Sequence, residues 1–595
     1  MALPHAAKTV NPHQTAQQAL DFHRQGRLPQ AERLYSEVLA VRPDHFDALH
    51  MLGLIKLQRG DLVSALRLVS GALAARPRSP EVLLNYGIVL DALKRTEEAL
   101  AAFDAVIAFN KRSVEAHNNR GTMLEKLGRD EEALTAFARA LSIKPGNIDA
   151  LYNQGSVLRK LGRYEEALKS FDRALAIKPD HSRAHNNRGT ALEELKRLDE
   201  ALAAYERSIA LDRSFVEAHN NRANVLQKLS RYDEAIESYE RALALNPAFA
   251  EVLNNRGNAL AALGRHREAL QSVGQAIAVN PNYVNAQWNE ALLRLRLGDF
   301  CGGFERYECR WKRTHGPKTQ RHYPQALWLG QFPVEGKTVL LHHEQGLGDT
   351  IQFARYAPLL MERGARVVLE VQPPLKTLMA RMVEGITVIG NGEPIPHFDM
   401  HCPIMSLPLA FRTTVSTIPA RVPYLAASPE RIARWRERLP QRSGLRVGLA
   451  WSGSTIHAAD RDRSIPLAQL APLLAIPGVT FIGLQKDLRE SDALAAATAP
   501  QLIDVRQYLD DYDDTAALVA ELDVVISVDT SVAHLAGAMA KPVWVLLPLC
   551  PDWRWLTERS DSPWYPTARL FRQTRLSDWQ GVIAKVARAL TQFPG

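Results

Sequence analysis

The chain has 595 residues, 46% of them hydrophobic, and a formal charge of +8. That length predicts several domains with sizeable cores, and the basic excess is spread without a polybasic run or an RNA-binding signature, which argues against a nucleic-acid partner. No window approaches about 18 uninterrupted apolar residues, so no membrane span is expected. The amino terminus lacks an apolar core of signal-peptide length, and Cys301, Cys309, Cys402 and Cys550 form no CxxC pair. Both features point to a reducing, cytoplasmic compartment.

Residues 1–11 are expected to be a disordered tail. Beyond them the sequence repeats every 34 residues. Pro43, Pro77, Pro145, Pro179, Pro247 and Pro281 fall on one grid. Gly53, Gly87, Gly121, Gly155, Gly189 and Gly257 fall on a second, with Ala223 as its substitute. Ala31, Ala65, Ala99, Ala133, Ala167, Ala201, Ala235 and Ala269 make a third, and Tyr35, Phe103, Phe137, Phe171, Tyr205 and Tyr239 a fourth. This is the tetratricopeptide pattern, in which antiparallel helix pairs stack into a superhelix, small residues sit where helices touch and aromatics wedge between them. The array is expected over 12–312, its last helix pair being a degenerate cap.

One grid is not demanded by packing. Asn85, Asn119, Asn153, Asn187, Asn221, Asn255 and Asn289 recur on the first helix of successive repeats. Asn is a poor helix former, but its carboxamide can pair with both the C=O and the N–H of a peptide. A row of them on a concave face would hold an extended polypeptide by its backbone. The ladder resembles that of O-GlcNAc transferase. The alternative is an Asn that joins one repeat to the next. His117, His185 and His219, and Arg120, Arg188, Arg222 and Arg256, flank the ladder and read as repeat contacts, since whole-repeat spacing forbids shared metal ligation.

Composition shifts after Trp311. Residues 313–335 read as a linker, 336–428 as one Rossmann-like α/β domain and 429–595 as a second, so the fold class is an all-α superhelix followed by two Rossmann-like domains facing one cleft. In the first, Gly346-Leu-Gly348-Asp349 lacks the third glycine of the dinucleotide fingerprint. Its Asp349 is either a helix cap or a general base for an incoming hydroxyl. In the second, Val524 to Pro548 reads as strand, turn, helix and strand, with Asp529, Thr530 and Ser531 at a helix start where phosphate binds well. Its alternative is an ordinary βαβ unit with a capped helix. The acidic run Asp510 to Asp514 reads as a helix-cap region, and His397, His401 and Cys402 as a packed loop without metal. Trp553, Trp555, Trp564 and Tyr565 read as core. The last helix, Asp578 to Leu590, is expected to cross back onto the first of the two domains.

The stretches QGLGDTIQFARYAPLL and SVDTSVAHLAGAMAKPVWVLL together resemble the heptosyltransferase-like (family 9) glycosyltransferases over about Lys337 to Leu590. With the repeats in front, the chain resembles bacterial tetratricopeptide–glycosyltransferase fusions, including those that modify flagellin. The resemblance implies a GT-B fold with Asp349 as catalytic base. It implies donor binding by Asp529, Thr530 and His534, by Arg463 against leaving-group charge, and by Ser452, Ser454, Gln485 and Lys486. Ser531 stands where family members often carry glycine. The function this implies is inverting, metal-independent transfer of a sugar from a CMP-, UDP- or ADP-linked donor to Ser or Thr of a protein, flagellin being one candidate. No cofactor is implied beyond that co-substrate. The alternatives are a protein-binding scaffold with an inactive transferase half, and a transferase acting on a lipid-linked or polysaccharide glycan.

Overall fold

The computed structural model describes residues 11–314, 321–455 and 460–593. Of the tail read as disordered, residues 1–10 lie outside them, and Asn11 caps the first helix, Pro12–Arg24, by accepting from the N–H groups of His13 and Gln14. The chain divides into two compact units, residues 1–231 and 232–595.

The first unit is a succession of antiparallel helix pairs of 13 and 14 residues, such as Val114–Lys126 with Asp130–Ile143. The grids explain the pairing. A Cβ at Gly87, Gly121, Gly155 or Gly189 would lie 2.5–2.7 Å from the ring of Phe103, Phe137, Phe171 or Tyr205, so each aromatic lies flat on a glycine of the partner helix. The alanine grid is fully buried at the same crossings. The turn inside each pair needs a left-handed residue, supplied by Gly26, Gly60, Gly128 and Gly162, and by Lys94 and Lys196 where no glycine is present. The flanking histidines hold the loops between repeats: Nε2 of His117, His185 and His219 lies 3.0–3.1 Å from the carbonyls of Lys111, Pro179 and Arg213.

The second unit begins with further helix pairs, ending in Val284–Arg296 and Phe300–Tyr307, and continues into two sheets in which every named strand pair is parallel. The first contains β1 (Ala326–Leu327), β2 (Thr338–His342), β3 (Arg366–Val371), β4 (Thr387–Gly390) and β5 (Met400–Pro403), in the order β1-β5-β2-β3-β4. The second contains β6 (Leu445–Ala450), β7 (Val479–Gly483), β8 (Leu502–Ile503), β9 (Val524–Val528), β10 (Val543–Leu547) and β11 (Ala568–Arg572), in the order β11-β10-β9-β6-β7-β8. β9 and β10 are buried along their whole length, as the unbroken apolar runs demand. The order reverses between β2 and β5 in one sheet and between β6 and β9 in the other. Ligands of open parallel sheets settle at such reversals, beyond the carboxyl ends of the strands.

Two expectations are revised. The stretch read as a linker contains β1, which pairs with β5, and the buried Trp328. The last helix, Trp579–Thr591, does not cross to the first sheet. Its Trp579, Val582, Ile583 and Val586 share a core with Trp544 and Phe571 of the second sheet. The final repeat helices pack into the core of the second unit. Phe300 and Phe304 meet Trp553 edge-to-face at 6.1 and 5.5 Å, and Phe300 stacks on Trp564 at 5.9 Å, within a core that also holds Phe353. Removing Phe304 leaves a cavity against Phe300 and Trp553. Phe304→Ala should therefore destabilise the second unit by about 3–5 kcal/mol, read as a lower urea midpoint with unchanged slope.

Candidate functional site

β9 ends at Val528, and Asp529 and Thr530 turn the chain into the helix Ser531–Ala538. Thr530 sits at the cap position in extended conformation, yet its side chain makes no capping hydrogen bond. Its Oγ1 instead lies 3.0 Å from Ser527 Oγ. The Oγ of Ser531 meets the Tyr512 hydroxyl. One turn on, His534 is buried, with Nδ1 3.0 Å from the Tyr565 hydroxyl and its ring stacked on Trp555 at 5.5 Å. Its Nε2 is 3.9 Å from the Asp529 carboxylate. Burial, reinforced by the Arg554 charge, pushes the His534 pKa down to about 3. Asp529 is shifted the other way, held above the usual carboxylate range by burial and then by the nearby Asp552.

The second motif arrives from the other sheet. Gly346 starts the helix Leu347–Phe353, and its N–H donates to Asp349 Oδ2 at 2.7 Å. A Cβ on Gly348 would stand 2.9 Å from His534 Cδ2 and 3.4 Å from Ser531 Cα. The second glycine of GLGD is thus the contact surface between the two motif helices, and only hydrogen fits there. The structure brings Asp349, Asp529, Thr530, Ser531 and His534 into one neighbourhood.

Between them lies Arg554, buried and not singled out from the sequence. Its Nη2 donates to Asp349 Oδ1, its Nη1 to Asp552 Oδ1 at 2.9 Å and its Nε to Gln352 Oε1 at 2.7 Å. Burial works against its charge, but the carboxylates of Asp552 and Asp349 outweigh it and hold its pKa above the ordinary value. Both oxygens of Asp349 are therefore in use, one as a cap within its own helix and one in an ion pair. The available signal was the triplet Trp553-Arg-Trp555, an arginine enclosed by two large aromatics in a Pro-rich segment.

At the β6–β9 reversal, Ser452 is buried, its N–H donating to Gln485 Oε1 at 3.2 Å while its Oγ has no hydrogen-bond partner. Ser454 follows, exposed, on the same loop. Arg463 lies across Gly453 so closely that a Cβ there would be 2.4–2.7 Å from the guanidinium, and its Nη1 donates to the Asp529 carbonyl at 2.9 Å. Lys486 is committed elsewhere, its Nζ binding the carbonyls of Leu509 and Asp510. The corresponding reversal in the first sheet is filled from within. Buried Arg310 makes a two-pronged ion pair with Glu344 at 2.9 and 3.0 Å and donates to Ser406 Oγ at 2.7 Å. The acidic run is also spent: Asp511 caps Tyr512–Ala520 and pairs with Arg431, which also pairs with Asp513 and Asp514. Among the described residues no group of three or more His, Cys, Asp or Glu is placed to hold a metal, and no helix is long and apolar enough to cross a membrane.

The seven ladder asparagines are all half-buried. Several spend an amide N–H on the preceding repeat. Asn153 donates to Asn118, Asn221 to Asn186 and Asn289 to Asn254, at 2.8–3.1 Å. Asn187 donates to the Tyr152 hydroxyl at 3.1 Å, and Asn85 Nδ2 lies 2.8 Å from His50 Nε2. Asn119 and Asn255 accept from the asparagine just before them. The bonds of Asn85, Asn153, Asn187, Asn221 and Asn289 join repeat to repeat, whereas those of Asn119 and Asn255 stay within one helix.

Residues 17–148, in overlapping pairs of repeats, 147–214, 216–249 and 250–283 match models of the tetratricopeptide repeat, so this part of the chain is a tetratricopeptide array. Protein FlbA of Caulobacter vibrioides is 30% identical over 333 residues, 52% of this chain and 55% of that protein. The chain thus spans about half the length of this relative. Among solved structures, YrrB, described as a TPR protein with an unusual peptide-binding site, is 25% identical with a TM-score of 0.28, covering 31% of this chain and 95% of YrrB. A tetratricopeptide protein of Parabacteroides merdae is 20% identical with a TM-score of 0.35, over 42% of this chain and 98% of its own. The pilF protein of Pseudomonas aeruginosa is 21% identical with a TM-score of 0.33, over 36% and 96%.

Two outcomes follow from the buried charges. Arg554→Leu leaves Asp349 and Asp552 without their common cation and should cost about 3–5 kcal/mol in urea unfolding. His534 is neutral in the fold and protonates in the unfolded chain, so its presence disfavours the fold as pH falls from about 6.5 towards about 3. The melting-temperature advantage of wild type over His534→Gln should consequently shrink between pH 7 and pH 5.

Proposed function

We propose that the chain is a protein-binding tetratricopeptide scaffold whose carboxyl-terminal unit, a GT-B-like pair of lobes (336–428 and 429–595), receives a nucleotide-sugar at the β6–β9 reversal. The observation that carries this reading is the meeting of the GLGD and DTSVAH segments. They lie on different sheets, yet Gly348 touches Ser531 and His534, with Arg463 reaching the same turn through the Asp529 carbonyl. Phosphate leaving a sugar needs fixed positive charge and N–H donors, and Arg463 and the start of the Ser531–Ala538 helix are sources of both.

The motif resemblance adds a reaction: inverting transfer of the sugar to Ser or Thr of a protein held by the Asn ladder, flagellin among the candidates. Here Asp349 would take the acceptor proton and Asp529, Thr530, Ser531, His534, Ser452, Ser454 and Gln485 would seat the donor, while Lys486 would join them only by leaving the carbonyls of Leu509 and Asp510. One observation favours the second reading, a scaffold whose transferase half is inactive. The Asp349 carboxylate is engaged by the Gly346 N–H and by Arg554, so a hydroxyl would have to displace one of them before Asp349 could act as base.

The two readings separate in one experiment. Calorimetric titration with ADP, UDP and CMP should show binding to the full chain and a loss of at least about tenfold in Arg463→Gln, as expected for a charge-assisted hydrogen bond. Incubation of candidate acceptors with nucleotide-sugars, read by intact mass, should then show a sugar increment that Asp349→Asn abolishes while protein capture persists. Nucleotide binding without any mass increment establishes the scaffold, and absence of nucleotide binding overturns both readings of the carboxyl-terminal unit. Replacing Asn153, Asn187, Asn221 and Asn255 by Ala should abolish capture at an unchanged fold, checked by circular dichroism.

A further inference from the structure

The loop after β6 is gripped by two arginines, of which Arg489 has no role in the reading above. Arg463 lies across Gly453 on one side. Arg489 Nη2 donates to the Gly453 carbonyl and to Ser464 Oγ, each at 3.0 Å. Ser464 Oγ in turn accepts from the Gly453 N–H at 3.1 Å. One buried carboxylate faces both guanidinium groups. Asp460 Oδ2 pairs with Arg489, its Oδ1 is 3.8 Å from Arg463 Nε, and it accepts from Ser464 Oγ at 2.9 Å. Asp492, another acid on the same cavity, accepts from the Trp451 indole N–H and the Leu467 N–H, both at 3.0 Å, rather than from either arginine.

Both guanidinium groups take Asp460 as their ion-pair partner. The hydrogen bonds here are not all matched, because the Nε atoms of both arginines and Ser452 Oγ are buried with no hydrogen-bond partner. A buried unmatched donor is costly, and three around one loop mark a place where further acceptor oxygens belong. Room for them beside Arg489 exists in a cavity of about 450 Å³ bordered by Thr455, Asp460, Arg461, Ser464, Arg489 and Asp492, a cavity that Arg463 and Ser452 do not line. A carboxylate offers two oxygens and one charge. A diphosphate offers more of both and matches the guanidinium fork.

We propose that Asp460 is a resident counter-ion that keeps Arg463 and Arg489 in place while the site is empty and is displaced from Arg489 by the phosphates of an incoming ligand, which makes Arg489 a second phosphate-holding residue. This rests on the preceding reading of the β6–β9 reversal as a nucleotide site and adds to it a charge that the ligand must outcompete. Asp460 then sets the affinity threshold: ligands with two phosphates pass it more readily than those with one.

The test is calorimetric titration of the full chain with inorganic pyrophosphate, ADP, UDP and CMP. Asp460→Asn keeps the shape and the Ser464 contact but removes the competing charge. It should tighten pyrophosphate and the nucleoside diphosphates by about fivefold, in the range of a partly screened charge pair, and CMP by less. Arg489→Gln should weaken pyrophosphate by at least about tenfold, and the double variant should behave like Arg489→Gln. Wild-type binding that Asp460→Asn leaves unchanged or weakens overturns the inference while leaving the nucleotide site standing. Binding by Asp460→Asn alone, with none by wild type, supports it in its strongest form. Absence of binding in both overturns the inference together with the nucleotide reading.

Discussion

The guanidinium of Arg554 is the constraint on which the carboxyl-terminal unit depends. A buried cation is tolerated only where acceptors surround it, and here they come from two sheets: Asp349 and Gln352 from the first, Asp552 from the second. Removing an acceptor leaves part of the Arg554 charge unmatched, although Asp349 and Asp552 keep some contact with solvent. The ion pairs therefore do more to specify one arrangement of the sheets than to add net stability, since a well-packed apolar substitute could be equally stable. The rings of Phe353 and Trp553 lie against this guanidinium and join it to the aromatic core that holds Phe300, Phe304 and Trp564.

Legibility in the sequence followed the range of the interactions. The repeat array was readable residue by residue, because a glycine and the ring that covers it lie 16 positions apart and recur every 34. The alternation of strands and helices was readable for the same local reason. Less legible were features whose partner lies far along the chain. Arg554 is paired with Asp349 at a separation of 205 residues, and nothing in its own neighbourhood signals the partnership. β1 was hidden because two residues at a sheet edge carry no periodicity. The last helix was assigned to the wrong sheet because an amphipathic face does not say which surface it covers. At the candidate site, the sequence named residues that the fold assembles, but not the bonds that already occupy Asp349 and Lys486.

The two strand-order reversals of the unit differ in what fills them. At the first, the guanidinium of Arg310 is matched by Glu344, Glu308 and Ser406. At the second, Arg463 and Arg489 share Asp460, and donors remain without a hydrogen-bond partner. Architecturally equivalent crevices thus have opposite chemical status, one closed by the protein's own side chains and one short of acceptors. The difference lies in a few side chains beyond the strand ends and not in the fold.

Gly348 carries a mechanical consequence. With a hydrogen as the whole of its side chain, the Leu347–Phe353 helix rests directly on backbone at Ser531 and on the ring of His534. A joint of that kind has no slack. A shift of a few tenths of an ångström in one helix is passed to the other undamped, because no flexible side chain stands between them to absorb it. The start of the Ser531 helix and the helix that carries Asp349 thus share one close contact, with no layer of long side chains between them.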